Sequence, residues 1–219
     1  ASREYRALGI ATALSPQIDL STEPRWMRFA DTFGEHTRLA VDMTKAYCDG
    51  FQTTEGSADG WGEESVNTMV KHFPGGGPCE GGRDAHYAYG KYAVYPGGNF
   101  EEHLRPFSEG AFALEGGTQS ASAVMPYYTI SYGQDKENGE NVGNSFSRYL
   151  IGNLLREQLG YDGVVCTDWG ITHNTGKTEE EFAGKCWGVE ELTIEERHLK
   201  ALEAGVDQFG GNNDIKPVL

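Results

Sequence analysis

The sequence predicts an α/β fold built on a parallel sheet, of the (β/α)8 TIM-barrel type, with only part of the barrel in this chain. Short apolar runs alternate with helix-like segments, an order typical of parallel sheets. Five such runs are too few for a closed eight-stranded barrel, and an open fragment leaves two unpaired edges. We therefore expect residues 1–219 to be a partial barrel domain. The missing strands would come from the same polypeptide or from a complementary chain.

The predicted elements follow from the apolar runs and from glycines that end helices. Strands are predicted at about residues 10–14, 67–72, 121–128, 163–167 and 206–209. Helices are predicted at about 36–49, 105–115, 145–159 and 194–204, the last between a capping box at Thr193–Glu196 and Gly205. The segments 74–99, 129–144 and 170–192 are long insertions after strands. They therefore belong at the carboxyl end of the sheet, where barrel enzymes bind substrates.

The composition argues against several classes of ligand. A net charge of −15 without clustered Lys and Arg makes nucleic acid and anionic membranes poor partners. No apolar run approaches the roughly 18 residues of a membrane span. The four cysteines lack the spacing of a zinc site, and no pattern indicates a metal or an organic cofactor. Thirty glycines with eleven tyrosines and four tryptophans suit long loops and aromatic walls around a neutral, polyhydroxylated ligand.

The run 163–167 is the most informative predicted strand, because it ends in Asp168, Trp169 and Gly170. A short, β-branched apolar run is typical of a strand buried on both faces. The loops that follow barrel strands form the active face, so Asp168 is the first candidate for a catalytic residue. The alternative is an aspartate that caps the next element or starts a turn.

Lys71 and His72 end the predicted strand 67–72 and precede Pro74 and three glycines. Two nitrogen donors at a strand end could bind sugar hydroxyls with charge-assisted hydrogen bonds. The alternative is a surface lysine beside a hydrogen-bonded core histidine. The glycines do not form a phosphate loop, because no Gly-Lys-Ser/Thr follows them.

Blocks of residues along nearly the whole chain resemble glycoside hydrolase family 3, in its β-glucosidase branch. They are Ser15–Leu20, Glu23–Trp26, Thr32–Glu35, Lys71–Gly77, Ala123–Met125, Gly163–Gly170 and Ala204–Asp207. The resemblance implies that the chain belongs to the first, barrel domain of an enzyme. That enzyme would remove a glucose-like unit from the non-reducing end of a β-linked glucoside or oligosaccharide, with retention of configuration.

The resemblance also implies roles for the two residues that end strand 163–167. Asp168 matches the nucleophile, which forms a covalent glycosyl intermediate. Trp169 would offer a flat apolar face to the sugar, and the alternative for it is a core aromatic beneath the next loop.

The same resemblance implies a sugar pocket around the nucleophile. Arg28, Lys71 and His72 match residues that bind the sugar hydroxyls, and Arg25 better fits a structural salt bridge. Tyr128 matches a tyrosine next to the nucleophile, with Tyr127 as the competing choice. Met125, in the matched block before them, is a further candidate.

The second catalytic acid has no assignment in this chain. In the β-glucosidase branch it is a glutamate of a later domain. In the N-acetylglucosaminidase branch an Asp-x-His pair donates the proton, and Asp84-Ala85-His86 has that form. The pair stands later in its loop than the pattern of that branch, so a structural Asp–His hydrogen bond is the alternative.

Two interpretations in which the chain is not itself catalytic remain open. A protein that keeps the pocket can bind a sugar without hydrolysing it. The chain can also be an inactive fragment of a hydrolase until its other parts join it.

Overall fold

The computed structural model describes residues 1–219. Four α-helices lie at Ser2–Ala7 (α1), Thr37–Gln52 (α2), Phe100–Arg105 (α3) and Ile194–Ala204 (α4), and π-helical segments lie at Pro106–Ala111 and Tyr149–Gln158. Six strands lie at Thr12–Ala13 (β1), Asn67–Phe73 (β2), Tyr92–Ala93 (β3), Ala123–Pro126 (β4), Ile130–Ser131 (β5) and Val164–Val165 (β6). The chain has no helix with both the length and the apolar character to cross a membrane.

The main sheet is parallel throughout and has the strand order β1-β2-β4-β6. Helical segments separate its strands along the chain, so the predicted parallel α/β fold, part of a TIM barrel, is confirmed. Lys71 of β2 is in register with Met125 of β4. Because all four strands run the same way, the segments that follow them leave the sheet at one edge.

Side chains alternate between the two faces of this sheet. One face carries Val70, Val124 and Val165, which belong to the large buried core. The other face carries a separate buried cluster of Met69, Ala123, Met125 and Cys166. Since the side-chain period of a strand is two, Lys71 and Asp168 share the face of this second cluster. The sheet therefore brings both residues to one side of its carboxyl end.

Helix α2 continues past Gly50, where the sequence predicts its end. The side chain of Gln52 explains the extension. Its Oε1 accepts hydrogen bonds from the Thr68 hydroxyl at 2.5 Å and from the Ser122 N–H at 3.0 Å. These bonds satisfy buried donors at the starts of β2 and β4, so they attach the end of the helix to the sheet.

Helix α4 matches its prediction at both ends. The Thr193 hydroxyl accepts from the Glu196 N–H at 3.2 Å, and the Glu196 carboxylate accepts from the Thr193 N–H at 2.8 Å. Gly205 ends the helix with a φ of 113°, a conformation that side chains disfavour.

Other predicted segments also differ from the structure. The helix predicted at 105–115 begins at Phe100 and becomes π-helical at Pro106, which has no N–H to continue the α-helical pattern. The strand predicted at 206–209 is reduced to one parallel bridge between Cys166 and Gln208. The insertions 74–99 and 129–144 are not only loops, because β3 and β5 pair within them as a second parallel sheet.

Candidate active site

Asp168 lies just beyond β6 and is only 7% exposed. Its Oδ1 accepts a hydrogen bond from the Trp169 N–H at 2.7 Å. Its Oδ2 lies 3.8 Å from Nε2 of His72. One carboxylate oxygen is thus fixed by the backbone, and the other faces the side chains that end β2.

The two adjacent tyrosines after β4 have different partners. The Tyr128 hydroxyl lies next to the Asp168 carboxylate, and burial together with that carboxylate raises the pKa of Tyr128 far above its usual value. The Tyr127 hydroxyl instead donates to Asp84 Oδ2 at 3.1 Å. Of the two, Tyr128 is therefore the tyrosine next to Asp168.

His72 is buried and has both ring nitrogens engaged. Nδ1 lies 2.9 Å from Asp19 Oδ2, and Nε2 lies 3.1 Å from Nη1 of Arg28. A guanidinium only donates, so Nε2 accepts and the proton is on Nδ1, which donates to Asp19. Burial lowers the pKa of His72, in keeping with a neutral ring. With this tautomer both ring nitrogens are bonded within the protein, and Nε2 contacts Arg28. The direct sugar contact expected for His72 stays a prediction.

Arg28 is half-buried and is fixed by two side chains. Besides the contact with His72, its Nη2 donates to Gln17 Oε1 at 2.9 Å. The guanidinium lines a cavity of about 380 Å³ together with Met27, Asp31, His86, Tyr87 and Phe182. A guanidinium has five N–H donors, and these two bonds use only two of them, so donors remain for a ligand in the cavity. Arg25, in contrast, pairs with Glu23 at 2.7 Å on the surface.

Lys71 is half-buried at the end of β2, on the same face as Asp168. Its ammonium makes no hydrogen bond or salt bridge within the protein. Burial and the nearby Arg28 lower the pKa of Lys71, while the Asp168 carboxylate opposes that shift. Three donors are therefore available beside the nucleophile candidate.

Trp169 and Met125 differ in their exposure and in their neighbours. Trp169 is 38% exposed, and its indole covers Gly210 and Gly211, where a larger residue would collide with the ring. An indole packed on backbone with one part exposed suits a sugar-stacking surface and not a core position. Met125 is buried in the cluster with Cys166 beneath the carboxyl end of the sheet, without a polar atom toward Asp168.

Asp84 and His86 are hydrogen-bonded to one another, with 2.5 Å between Asp84 Oδ1 and His86 Nδ1. Asp84 Oδ2 also accepts from the Trp26 indole N–H at 2.8 Å. These bonds hold the pKa of Asp84 well below its usual range despite burial. The His86 ring lies edge-on to Tyr128 with 4.9 Å between centroids and lines the cavity beside Arg28. The structure thus brings the pair to the site, with Asp84 buried and His86 facing the cavity.

Sequence reasoning did not single out three residues of the site, although two of them lie in the matched block Ser15–Leu20. Asp19 and Gln17 act through His72 and Arg28, and their roles depend on contacts across 53 and 11 positions of the chain. Lys185 lies in the third insertion, buried beside Tyr128. No cluster of three or more His, Cys, Asp or Glu side chains has the arrangement of a metal site.

Comparisons with known proteins identify the family of the chain. The model of the glycosyl hydrolase family 3 N-terminal domain matches residues 1–209. The chain is 46% identical to the probable beta-glucosidase C of Aspergillus oryzae, over 96% of this chain and 31% of that protein. It is 44% identical to a periplasmic beta-glucosidase/beta-xylosidase of Dickeya chrysanthemi, over 97% of this chain and 33% of that protein. The chain thus spans about a third of the length of these relatives.

Solved structures share the fold. A mutant beta-glucosidase of Listeria innocua in complex with laminaribiose has a TM-score of 0.72 at 22% identity, over 95% of this chain and 25% of that one. A family 3 beta-N-acetylglucosaminidase of Paenibacillus has a TM-score of 0.66 at 25% identity, over 95% of this chain and 33% of that one. The family match and the identity to these relatives show that the chain belongs to glycoside hydrolase family 3, of whose N-terminal domain it forms a part.

Proposed function

We propose that this chain supplies the nucleophile and the sugar pocket of a retaining, exo-acting β-glycosidase of the β-glucosidase type. Asp168 attacks the anomeric carbon of the non-reducing-end glucose unit, and the bond to the leaving oxygen breaks as that oxygen takes a proton. Water then hydrolyses the glycosyl ester, which frees Asp168. Two inversions at one carbon give overall retention.

The observation that carries this proposal is the environment of the Asp168 carboxylate. Its Oδ1 is bonded to the Trp169 N–H, whereas Oδ2 faces His72 Nε2, whose lone pair already accepts from Arg28. His72 therefore has no proton to give to Asp168, and the carboxylate stays available as a nucleophile. The Tyr128 hydroxyl beside it keeps its proton, because its pKa is raised, and can orient the reacting oxygen.

The cations around Asp168 support a sugar ligand. Lys71 and Arg28 keep unbonded donors on the same side of the sheet as the carboxylate. Such donors bind hydroxyl oxygens and position the sugar ring against the carboxylate. The exposed part of Trp169 adds an apolar surface for a sugar ring.

The general acid in this proposal comes from outside these residues, as a glutamate of another part of the polypeptide or of a complementary chain. The relatives named as beta-glucosidases are about three times as long as the matched region, which leaves room for such a part.

The geometry of Asp84 and His86 favours a second candidate, a β-N-acetylglucosaminidase. Asp84 holds Nδ1 of His86, so the opposite nitrogen faces the cavity and could pass a proton to a leaving oxygen. Against this, Asp84 also accepts from Trp26 and Tyr127, bonds that suit a structural role for the pair.

Proton NMR of the first product distinguishes these candidates. The protein at its native length is given p-nitrophenyl β-glucoside and, in parallel, the β-N-acetylglucosaminide. Preferential hydrolysis of the glucoside with β-glucose as the first anomer supports the proposal. α-Glucose as the first anomer contradicts it. Preference for the acetylated substrate, lost in His86→Ala, supports the second candidate. Binding of glucose without turnover of either substrate identifies a catalytically silent sugar-binding protein.

A further inference from the structure

Lys185 is a buried lysine in the insertion that follows the Asp168 strand, with 5% of its surface exposed. Its backbone N–H donates to the Gly170 carbonyl at 3.0 Å. That bond returns the insertion to the turn directly after Asp168 and Trp169. The chain thus places a second lysine near the nucleophile candidate, from a different element than Lys71.

The ammonium of Lys185 lies against two aromatic rings. Nζ lies 3.7 Å from the ring centroid of Phe182 and 5.6 Å from that of Tyr128. It makes no hydrogen bond or salt bridge within the protein, and Asp168 is the carboxylate whose charge acts on it. Ring faces attract a cation but do not replace the three hydrogen bonds that an ammonium makes in water.

Arg197 is a second buried cation next to the same insertion, and it has the contacts expected of a structural residue. It is 3% exposed, and its guanidinium donates to the carbonyls of Thr172, Val189 and Glu190 and to the side chain of Asn174. Its donors are satisfied by the protein. Those of Lys185 have no partner in the protein, although the residue is similarly buried; its Nζ keeps some exposure and is therefore open to a ligand.

The unsatisfied ammonium lies between the cavity wall and the nucleophile candidate. Phe182, the ring against Nζ, lines the cavity that also contains Arg28. It stacks on His86 at 5.8 Å and lies edge-on to Tyr87 at 6.1 Å. Tyr128, the second ring, lies beside Asp168. A sugar bound at Asp168 would bring hydroxyl oxygens to this place, and oxygen acceptors are what the ammonium lacks.

We infer that Lys185 is a substrate-binding residue, whose ammonium donates a hydrogen bond to a hydroxyl oxygen of the sugar unit at Asp168. This inference rests on the proposed glycosidase function. It adds a donor from the third insertion to Arg28 and Lys71, on the side of the sugar that faces Tyr128. The competing explanation is a structural contact, in which the lysine only fastens its loop to the rings of Phe182 and Tyr128.

Substrates that each lack one hydroxyl separate the two explanations. The protein at its native length and its Lys185→Met variant are compared on p-nitrophenyl β-glucoside and on the 2-, 3-, 4- and 6-deoxy analogues. We expect kcat/KM of the variant to fall about 10- to 100-fold on the parent substrate, the range for a hydrogen bond from a charged donor. On one deoxy analogue the two proteins should agree within about threefold, because that analogue has already lost the acceptor.

Lys177→Met is the matched control, since Lys177 is exposed on the same insertion. It should leave all five rates unchanged. An equal loss from Lys185→Met on every substrate, or no loss, overturns the inference. If Lys185→Met does not fold, Lys185→Leu, which also lacks a donor, is compared on the same substrates, and the same two patterns decide. Absence of hydrolysis by the unmodified protein contradicts the proposed function instead, so the two failures are distinguishable.

Discussion

Asp19 Oδ2 lies 2.9 Å from Nδ1 of His72 and thereby decides that the opposite ring nitrogen accepts from Arg28. Asp19 Oδ1 accepts from the His72 N–H at 3.2 Å and from the Gly76 N–H. Both oxygens are thus acceptors in a site without any exposure. The carboxylate sets the position of Arg28 through the histidine, without touching the cavity itself.

Asp19→Asn should disturb Arg28 more than its small change in shape suggests. In either orientation the NH2 group of the new amide faces another donor. These donors are the two backbone N–H groups at Oδ1 in one orientation and His72 Nδ1–H in the other. If the proton of the His72 ring moves to Nε2 to avoid this clash, the new N–H faces the donors of the Arg28 guanidinium instead. We expect kcat/KM to fall at least about tenfold, and the free energy of unfolding to fall by about 1–3 kcal/mol.

Steady-state kinetics and urea denaturation measure both effects of Asp19→Asn. Arg25→Ala is the control, because its salt bridge with Glu23 is on the surface, where solvent screens the two charges. Unchanged kinetics in Asp19→Asn would show that Arg28 is positioned by other groups.

Tyr128→Phe should slow catalysis while the fold persists, because the ring still packs and only the hydroxyl beside Asp168 is lost. We expect kcat/KM to fall about 10- to 100-fold. Tyr127→Phe is the matched variant, since its hydroxyl bonds to Asp84 and not to Asp168. A larger kinetic loss in Tyr127→Phe than in Tyr128→Phe would contradict the position given to Tyr128.

His103 should make the stability of the domain depend on pH in mildly acidic solution. It is fully buried, and neither ring nitrogen has a partner. Burial lowers its pKa to about 4, although Asp19 and Glu102 oppose the shift. The unfolded chain, with a histidine pKa near 6.5, therefore binds more protons than the folded chain between about pH 4 and 6.5.

The stability from neutral His103 is fully present above pH 6.5 and is lost as the pH falls toward 4, by roughly 3 kcal/mol in total. Urea denaturation from pH 8 to pH 4 should show this loss for the wild-type chain and a smaller one for His103→Leu. Parallel curves for the two proteins would mean that His103 does not titrate in this range.

Local patterns were enough to predict those parts of the fold that short-range chemistry decides. The capping box of α4 is complete within Thr193–Glu196, and Gly205 supplies the positive φ that ends the helix. The predicted end of α2 was wrong because the helix extends to Gln52, whose side chain is hydrogen-bonded to Thr68 and Ser122, far along the chain. The sheet of β3 and β5 was missed because two-residue strands have no readable period.

The same distinction applies to the candidate site. Strand ends placed Asp168, Lys71 and His72 near one another, since carboxyl ends of parallel strands share one edge. The direction of the His72 donors, however, depends on Asp19 and Arg28, which periodicity does not reveal. Lys185 lies in a segment without regular structure, so no pattern pointed to it.

Mass spectrometry after incubation with a 2-deoxy-2-fluoro β-glucoside bearing a good leaving group tests the role of Asp168 most directly. The fluorine slows the second step, and the good leaving group reduces the need for a general acid. We expect the peptide that contains Asp168 to gain one fluoroglucosyl mass, and Asp168→Asn to gain none. Label on another carboxylate, or no label on a protein that still hydrolyses glucosides, would contradict a glycosyl ester at Asp168.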